Sequence, residues 1–216
     1  MARIIHIEKL RLSHMVKDID LYSGLADGLI QLPYPERITI GWQSYKVPLK
    51  MEELADNICY GQRLYLARKE ENDIGLMMRM ISGFYYPFVK RLKWDEEKAL
   101  LFRKKVLTCK VKEIYPISQH LVNLISDMVE TEQKLLHREP SKIERAAGIE
   151  KLNVFSELNS IDFLRDAMKI TVPEVLLTPY NECLVRFLNA KETADFNERH
   201  FKLLRESEPK KQSKFK

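Results

Sequence analysis

The segment Asp73–Lys90, DIGLMMRMISGFYYPFVK, decides how the rest of the chain has to fold. Ile74, Met77, Met78, Ile81, Tyr85 and Phe88 recur at helical spacing on one face, and Leu76, Met80 and Phe84 fill another. A helix that is apolar on more than one side needs cover on more than one side. Two readings follow. Other helices of the same chain surround it as the central core helix, or one face seats an oligomer contact, for which adaptable methionines and aromatics are suited. On the second reading the contact residues are Met77, Met80, Phe84 and Phe88. Arg79 interrupts the segment, which is shorter than the roughly 20 apolar residues that cross a bilayer. Pro87 is expected to kink or end it.

Immediately upstream, MEELADNICYGQRLYLA (51–67) also has helical period, with Met51, Leu54, Ala55, Ile58, Gly61 and Tyr65 on one side. Gly61 costs about 1 kcal/mol of helix propensity relative to alanine. On the apolar face it reads as a packing notch that lets another helix approach; a ligand contact is the alternative. A phosphate loop would need more glycines following a strand. Further upstream, ERITIGWQSYKVP has two β-prone runs, Arg37 to Trp42 and Tyr45 to Val47, before Pro48. A hairpin over 37–47 follows. A lone hairpin is marginal in water, so Ile38, Ile40, Trp42, Tyr45 and Val47 are expected to lean on the helical body or on another chain. Residues 1–35 mix strand-like and helix-like spacing and read as an N-terminal arm.

Downstream, Asp95-Glu96-Glu97 precedes a short helix with Arg103-Lys104-Lys105 towards its other end, the order the helix dipole favours. A long helix is predicted over Glu113 to Glu139, with Pro116 tolerated in its first turn. Ser141 with Glu144, and Thr171 with Glu174, fit capping boxes. Val154, Leu158, Ile161, Leu164 and Met168 form a further apolar stripe. From Pro173 onwards Leu176, Tyr180, Cys183, Leu184 and Phe187 are expected to face inward, with Pro179 bending the helix. The fold class is mainly α: a helical bundle with one β-hairpin and an N-terminal arm. The domain spans 36–206, and 207–216 is a basic tail.

The composition agrees. The 216 residues are 45% hydrophobic and 31% charged, with only seven glycines and nine prolines, which disfavours a turn-rich sandwich or long disorder. Cys59, Cys109 and Cys183 lie too far apart in sequence for a zinc knuckle or redox pair and read as reduced, buried thiols. No secretion signal is visible, and the expectation is a soluble protein without a membrane partner. His6, His14, His120, His137 and His200 never pair at close metal-ligand spacing. There is no nucleophile elbow, Walker sequence or dinucleotide fingerprint. Acid pairs such as Glu52-Glu53, Glu70-Glu71 and Glu96-Glu97 read as solvated faces, because adjacent helical residues point in different directions. No enzyme activity, metal or cofactor is expected.

Charge distribution supplies one sharper lead. Phe84 to Lys112 holds nine basic residues against three acidic ones, a local excess of +6 beside +5 for the whole chain. Lys90, Arg91, Lys93, Arg103, Lys104 and Lys105, with aromatics nearby, are candidates for contact with DNA or an acidic partner. A solubilising face is the alternative.

The order of features, ITIGWQSYKVP, then MEELADNICYGQRLYLA, and later ELNSIDFLRDAMKITVPEVLLTPYNECLVRFL, resembles small structural and assembly proteins of tailed bacteriophages, including crAss-like phages. The resemblance covers about half the chain and leaves out the lysine-rich tail. It implies a non-enzymatic ring, neck or tail component of a virion, assembled in the host cytoplasm, with further copies of itself and other virion or tail proteins as partners. A tail-assembly chaperone or a nucleic-acid-binding helical protein are the alternatives. Trp42 and Tyr45 join the four residues of the central helix as the expected oligomer or partner contacts.

Overall fold

The structure, a computed structural model, describes residues 10–17, 29–47, 58–70, 72–90, 92–140, 142–149, 151 and 155–207, without the side chains of 16, 17 and 88–90. Among these, nine helices and one two-stranded antiparallel sheet appear in the order α1 (Leu12–Lys17), β1 (Arg37–Ile40), β2 (Gln43–Lys46), α2 (Tyr60–Ala67), α3 (Asp73–Lys90), α4 (Glu96–Val106), α5 (Val111–Leu136), α6 (Lys142–Ala146), α7 (Ser156–Met168), α8 (Val172–Leu177) and α9 (Tyr180–Ser207). The protein is mainly α with a small hairpin. None of the described helices is long and apolar enough to cross a membrane.

α3 lies at the centre, packed by α4, α5 and α2. Its apolar residues on two faces need two covering layers, and the chain supplies them. Ala99, Phe102 and Val106 bring one apolar stripe from α4, and Val111, Ile114, Ile117, Leu121 and Ile125 bring another from α5. Met77, Met80 and Phe84 are therefore 2, 2 and 3% exposed. This corrects their expected role as a surface for a neighbour: they are the core. The side chain of Phe88 lies outside the described residues.

Pro87 does not end α3, which runs on to Lys90. A proline at that position cannot donate to the carbonyl of Gly83, four residues earlier. The Gln62 side chain from α2 takes the place of the missing donor, its Nε2 donating to Gly83 O at 2.7 Å inside the core. The bulky partner of this contact sits beside Gly61, which is also buried. A Cβ there would stand 3.0 Å from Leu176 O, 3.1 Å from Leu176 Cβ and 3.1 Å from Trp94 Nε1. The Gly-Gln pair thus does two jobs: the glycine admits α8 and Trp94, and the glutamine mends α3.

The continuous helix expected over 51–67 starts only at Tyr60; Met51 to Asn57 lie outside the described residues. Ile58 and Cys59 are extended because their backbone is engaged elsewhere. Tyr60 N donates to Thr178 O and Tyr180 N to Ile58 O, each at 2.9 Å, forming a bridge between Cys59 and Pro179. The same bridge breaks the C-terminal helix expected from Pro173 into α8 and α9. Thr171 and Glu174 form the capping box of α8. Arg63, Glu132 and Tyr180 add a polar tie between α2, α5 and α9, with Tyr180 OH donating to Glu132 Oε2 at 3.0 Å.

α4 begins on Asp95, whose carboxylate accepts from Lys98 N. α5 starts at Val111, two residues before the expected Glu113, so Pro116 sits in its second turn. Of the stripe predicted on α7, Leu164 is buried and Leu158 is exposed, while Val154 lies outside the described residues.

Candidate functional site: the hairpin cleft

The hairpin pairs Arg37 with Lys46 and Ile40 with Gln43, leaving Gly41-Trp42 as a two-residue turn. Gly41 has φ +65°, as the first central position of a type II′ turn requires. Trp42 consequently lies in the turn and not in a strand. It does not lean on the helical body with Ile38, Ile40 and Val47; it is fully exposed, at 102%.

The turn is fixed nonetheless. Thr39 N donates to Glu113 Oε2 at 2.7 Å, and Gly41 N donates to Thr108 Oγ1 at 3.0 Å, whose own hydroxyl donates to Lys105 O at 2.7 Å. The hairpin therefore stands at a set distance from the last turn of α4, and a cleft of about 530 Å³ opens between them. Its hairpin wall is Ile40, Gly41, Trp42, Gln43 and Tyr45; its helical wall is Phe102, Lys104, Lys105 and Thr108. Two sets of sequence candidates, Trp42 with Tyr45 and Lys104 with Lys105, meet here although some sixty residues separate them. Tyr45 OH donates to Gln43 Oε1, and burial raises the phenol above its usual value.

The other basic candidates are differently placed. Arg103 is committed to the body, pairing with Glu70 at 3.0 Å and donating to Gly75 O. This corrects its expected role in binding DNA or an acidic partner. Arg79 reaches the same Glu70 oxygen at 2.6 Å from a buried position over the Tyr65 ring. Lys98 pairs with Asp95 and Lys110 with Glu113. Lys93 is exposed and does not line the cleft; Arg91 and the Lys90 side chain lie outside the described residues. Lys104 and Lys105 are exposed and form no ion pair among the described residues. No carboxylate among the described residues lines their cleft.

No protein-family model, curated protein or solved structure matches the chain.

Reactive side chains lie elsewhere. Cys109 and Cys183 are buried free thiols, each pushed up to about 12 mainly by burial, so both remain protonated at neutral pH. Among the described residues no three of His, Cys, Asp and Glu gather as metal ligands would. His120 packs edge-on against Tyr34, and His200 stacks on Phe196.

α9 forms a second exposed feature that sequence reasoning missed. Tyr180 and Cys183 are buried and Lys191 Nζ donates to Leu135 O, while Arg138 pairs with Asp195 and Glu198. From Arg199 to Ser207 every residue is exposed, including Phe201, Leu203 and Leu204. Phe196, His200, Leu203 and Ser207 follow one another at steps of four, three and four, the seam spacing of paired helices. The signal was present as this spacing, masked by the low overall apolarity of the helix.

Proposed function

We propose that the protein is a non-enzymatic assembly subunit that works by self-association, the distal part of α9 pairing with α9 of a second copy. The observation that carries this reading is the exposure of the seam residues Phe196 and Leu203, at 58 and 64%, on the end of a 28-residue helix. A helix end without tertiary cover is marginal in water, because most helical stability comes from burying an apolar face. The seam is suited to a like partner, and its flanks carry both signs, Glu198, Arg199, Lys202, Arg205 and Glu206, so that two copies can match opposite charges. The resemblance to tailed-phage structural proteins suggests the setting, a virion ring, neck or tail or the line that assembles it.

Light scattering coupled to gel filtration, with negative-stain imaging, tests the reading. The wild-type chain is expected to form a discrete closed oligomer, and Phe196→Glu with Leu203→Glu to give monomers with unchanged circular dichroism. A wild-type chain that stays monomeric at the highest concentration reached overturns it.

A further inference from the structure

We propose that the cleft between the hairpin turn and the end of α4 binds single-stranded nucleic acid, with a base stacked on Trp42 and the adjoining phosphates held by Lys104 and Lys105. This goes beyond the assembly role and does not depend on it. The argument begins with what each group would otherwise be doing. A tryptophan offers one of the largest apolar surfaces of any side chain, and here it is wholly in water. Its backbone is nevertheless held by the bonds of Gly41 to Thr108 and of Thr39 to Glu113. An uncovered indole on an anchored turn is a stacking platform, and seating a base on it has only the two side-chain torsions left to order.

Opposite it, Lys104 and Lys105 both line the cleft and have no counter-ion among the described residues, although Arg103, Lys98 and Lys110 around them are all paired. Their wall contains no described carboxylate. Two positive side chains and an aromatic plate lining one cleft match a nucleotide's alternation of phosphate and flat base. The volume, about 530 Å³, falls in the range of small-ligand sites and accommodates a nucleotide of a strand that continues out of the cleft. Gln43, whose Oε1 already accepts from Tyr45 OH, adds its amide N–H donors to the lining. Duplex is disfavoured, because stacking on Trp42 needs a base whose face is free. An acidic peptide would satisfy the lysines and leave the indole unused.

The test uses the full chain and fluorescently labelled oligothymidylate and oligouridylate of about 20 nucleotides, with a duplex of equal length and polyglutamate as competitors. Binding of a single strand is expected to fall steeply with salt and to quench tryptophan emission. Lys104→Ala with Lys105→Ala should weaken it at least tenfold and reduce the salt slope by about 1.4, two phosphate contacts on a single strand. Trp42→Ala should weaken it about tenfold while Trp42→Phe retains most of it. All three positions are exposed, so the variants keep the wild-type melting temperature. The two oligonucleotides distinguish DNA from RNA as the source of the strand. Absence of binding overturns the proposal, as does binding that the Trp42→Ala change leaves unaltered, or displacement by polyglutamate as effective as by the unlabelled strand, which would assign the cleft to an acidic protein partner.

Discussion

Gln62 is the residue on which two irregularities of the sequence converge. The carbonyl of Gly83 loses its helical donor to Pro87, and a buried carbonyl without a partner costs about 1–3 kcal/mol. The Gln62 amide, 7% exposed, supplies the bond. Gln62→Leu keeps the volume and removes the donor, so urea denaturation should show a loss of about 2 kcal/mol. In a Pro87→Ala background the backbone N–H at 87 can donate to Gly83 itself, and the same change should then cost at least 1 kcal/mol less. Strict additivity of the two substitutions would mean that Gln62 acts by packing alone. The sequence displayed both residues, and reading Pro87 as a kink or terminus was reasonable from local rules. What local rules lack is the knowledge that α2 lies against α3, which brings a side chain from 25 residues away to the broken rung.

At the level of elements, helical period was the most legible signal. Apolar residues at steps of three and four place α3 and the inward face of α5 directly, because a core-facing stripe has to recur with the helix repeat, whereas α4 was legible from its charge order. Strand and helix ends were less legible where backbone groups bond across the chain. Cys59 is extended through its bridge to Pro179, and Trp42 is taken out of β1 by a two-residue turn at Gly41. The basic stretch was legible as composition, yet only three dimensions separate Arg103, neutralised by Glu70, from Lys104 and Lys105, which face the cleft. Gly61 tests the helix packing itself. Alanine there should gain about 1 kcal/mol in intrinsic propensity. Its Cβ, however, would crowd the Leu176 carbonyl at 3.0 Å, a backbone atom that cannot turn aside. Gly61→Ala is therefore expected to destabilise the protein by at least 1 kcal/mol in denaturant unfolding, overpacking outweighing propensity. A stabilised variant would show that α8 yields freely to α2.

For the whole molecule, the question is how firmly the C-terminal third is joined to the central bundle. α7, α8 and α9 contribute few buried residues, chiefly Leu164, Val175, Tyr180 and Cys183, so apolar burial alone holds them weakly. The junction relies on directional contacts: the backbone bridge of residues 58–60 with 178–180, the stacking of Phe163 on Phe187 at 5.4 Å, and the Arg63–Glu132–Tyr180 cluster. Glu132 is its hub, accepting from a guanidinium and a phenol that are both largely withdrawn from water. Glu132→Gln preserves shape and leaves Arg63 without its counter-charge. Full burial would make such a change cost about 3–5 kcal/mol; with 16 and 19% of the two side chains still exposed, about 2 kcal/mol is the expectation. The location of the loss matters more than its size. If the C-terminal helices open as a separate cooperative unit, hydrogen exchange should accelerate at the amides of 181–187 while those of 77–86 in α3 keep their wild-type protection. Equal acceleration in both segments would mean that the bundle and the C-terminal helices unfold as one, and that α9 is carried on a scaffold as stiff as the core it leaves.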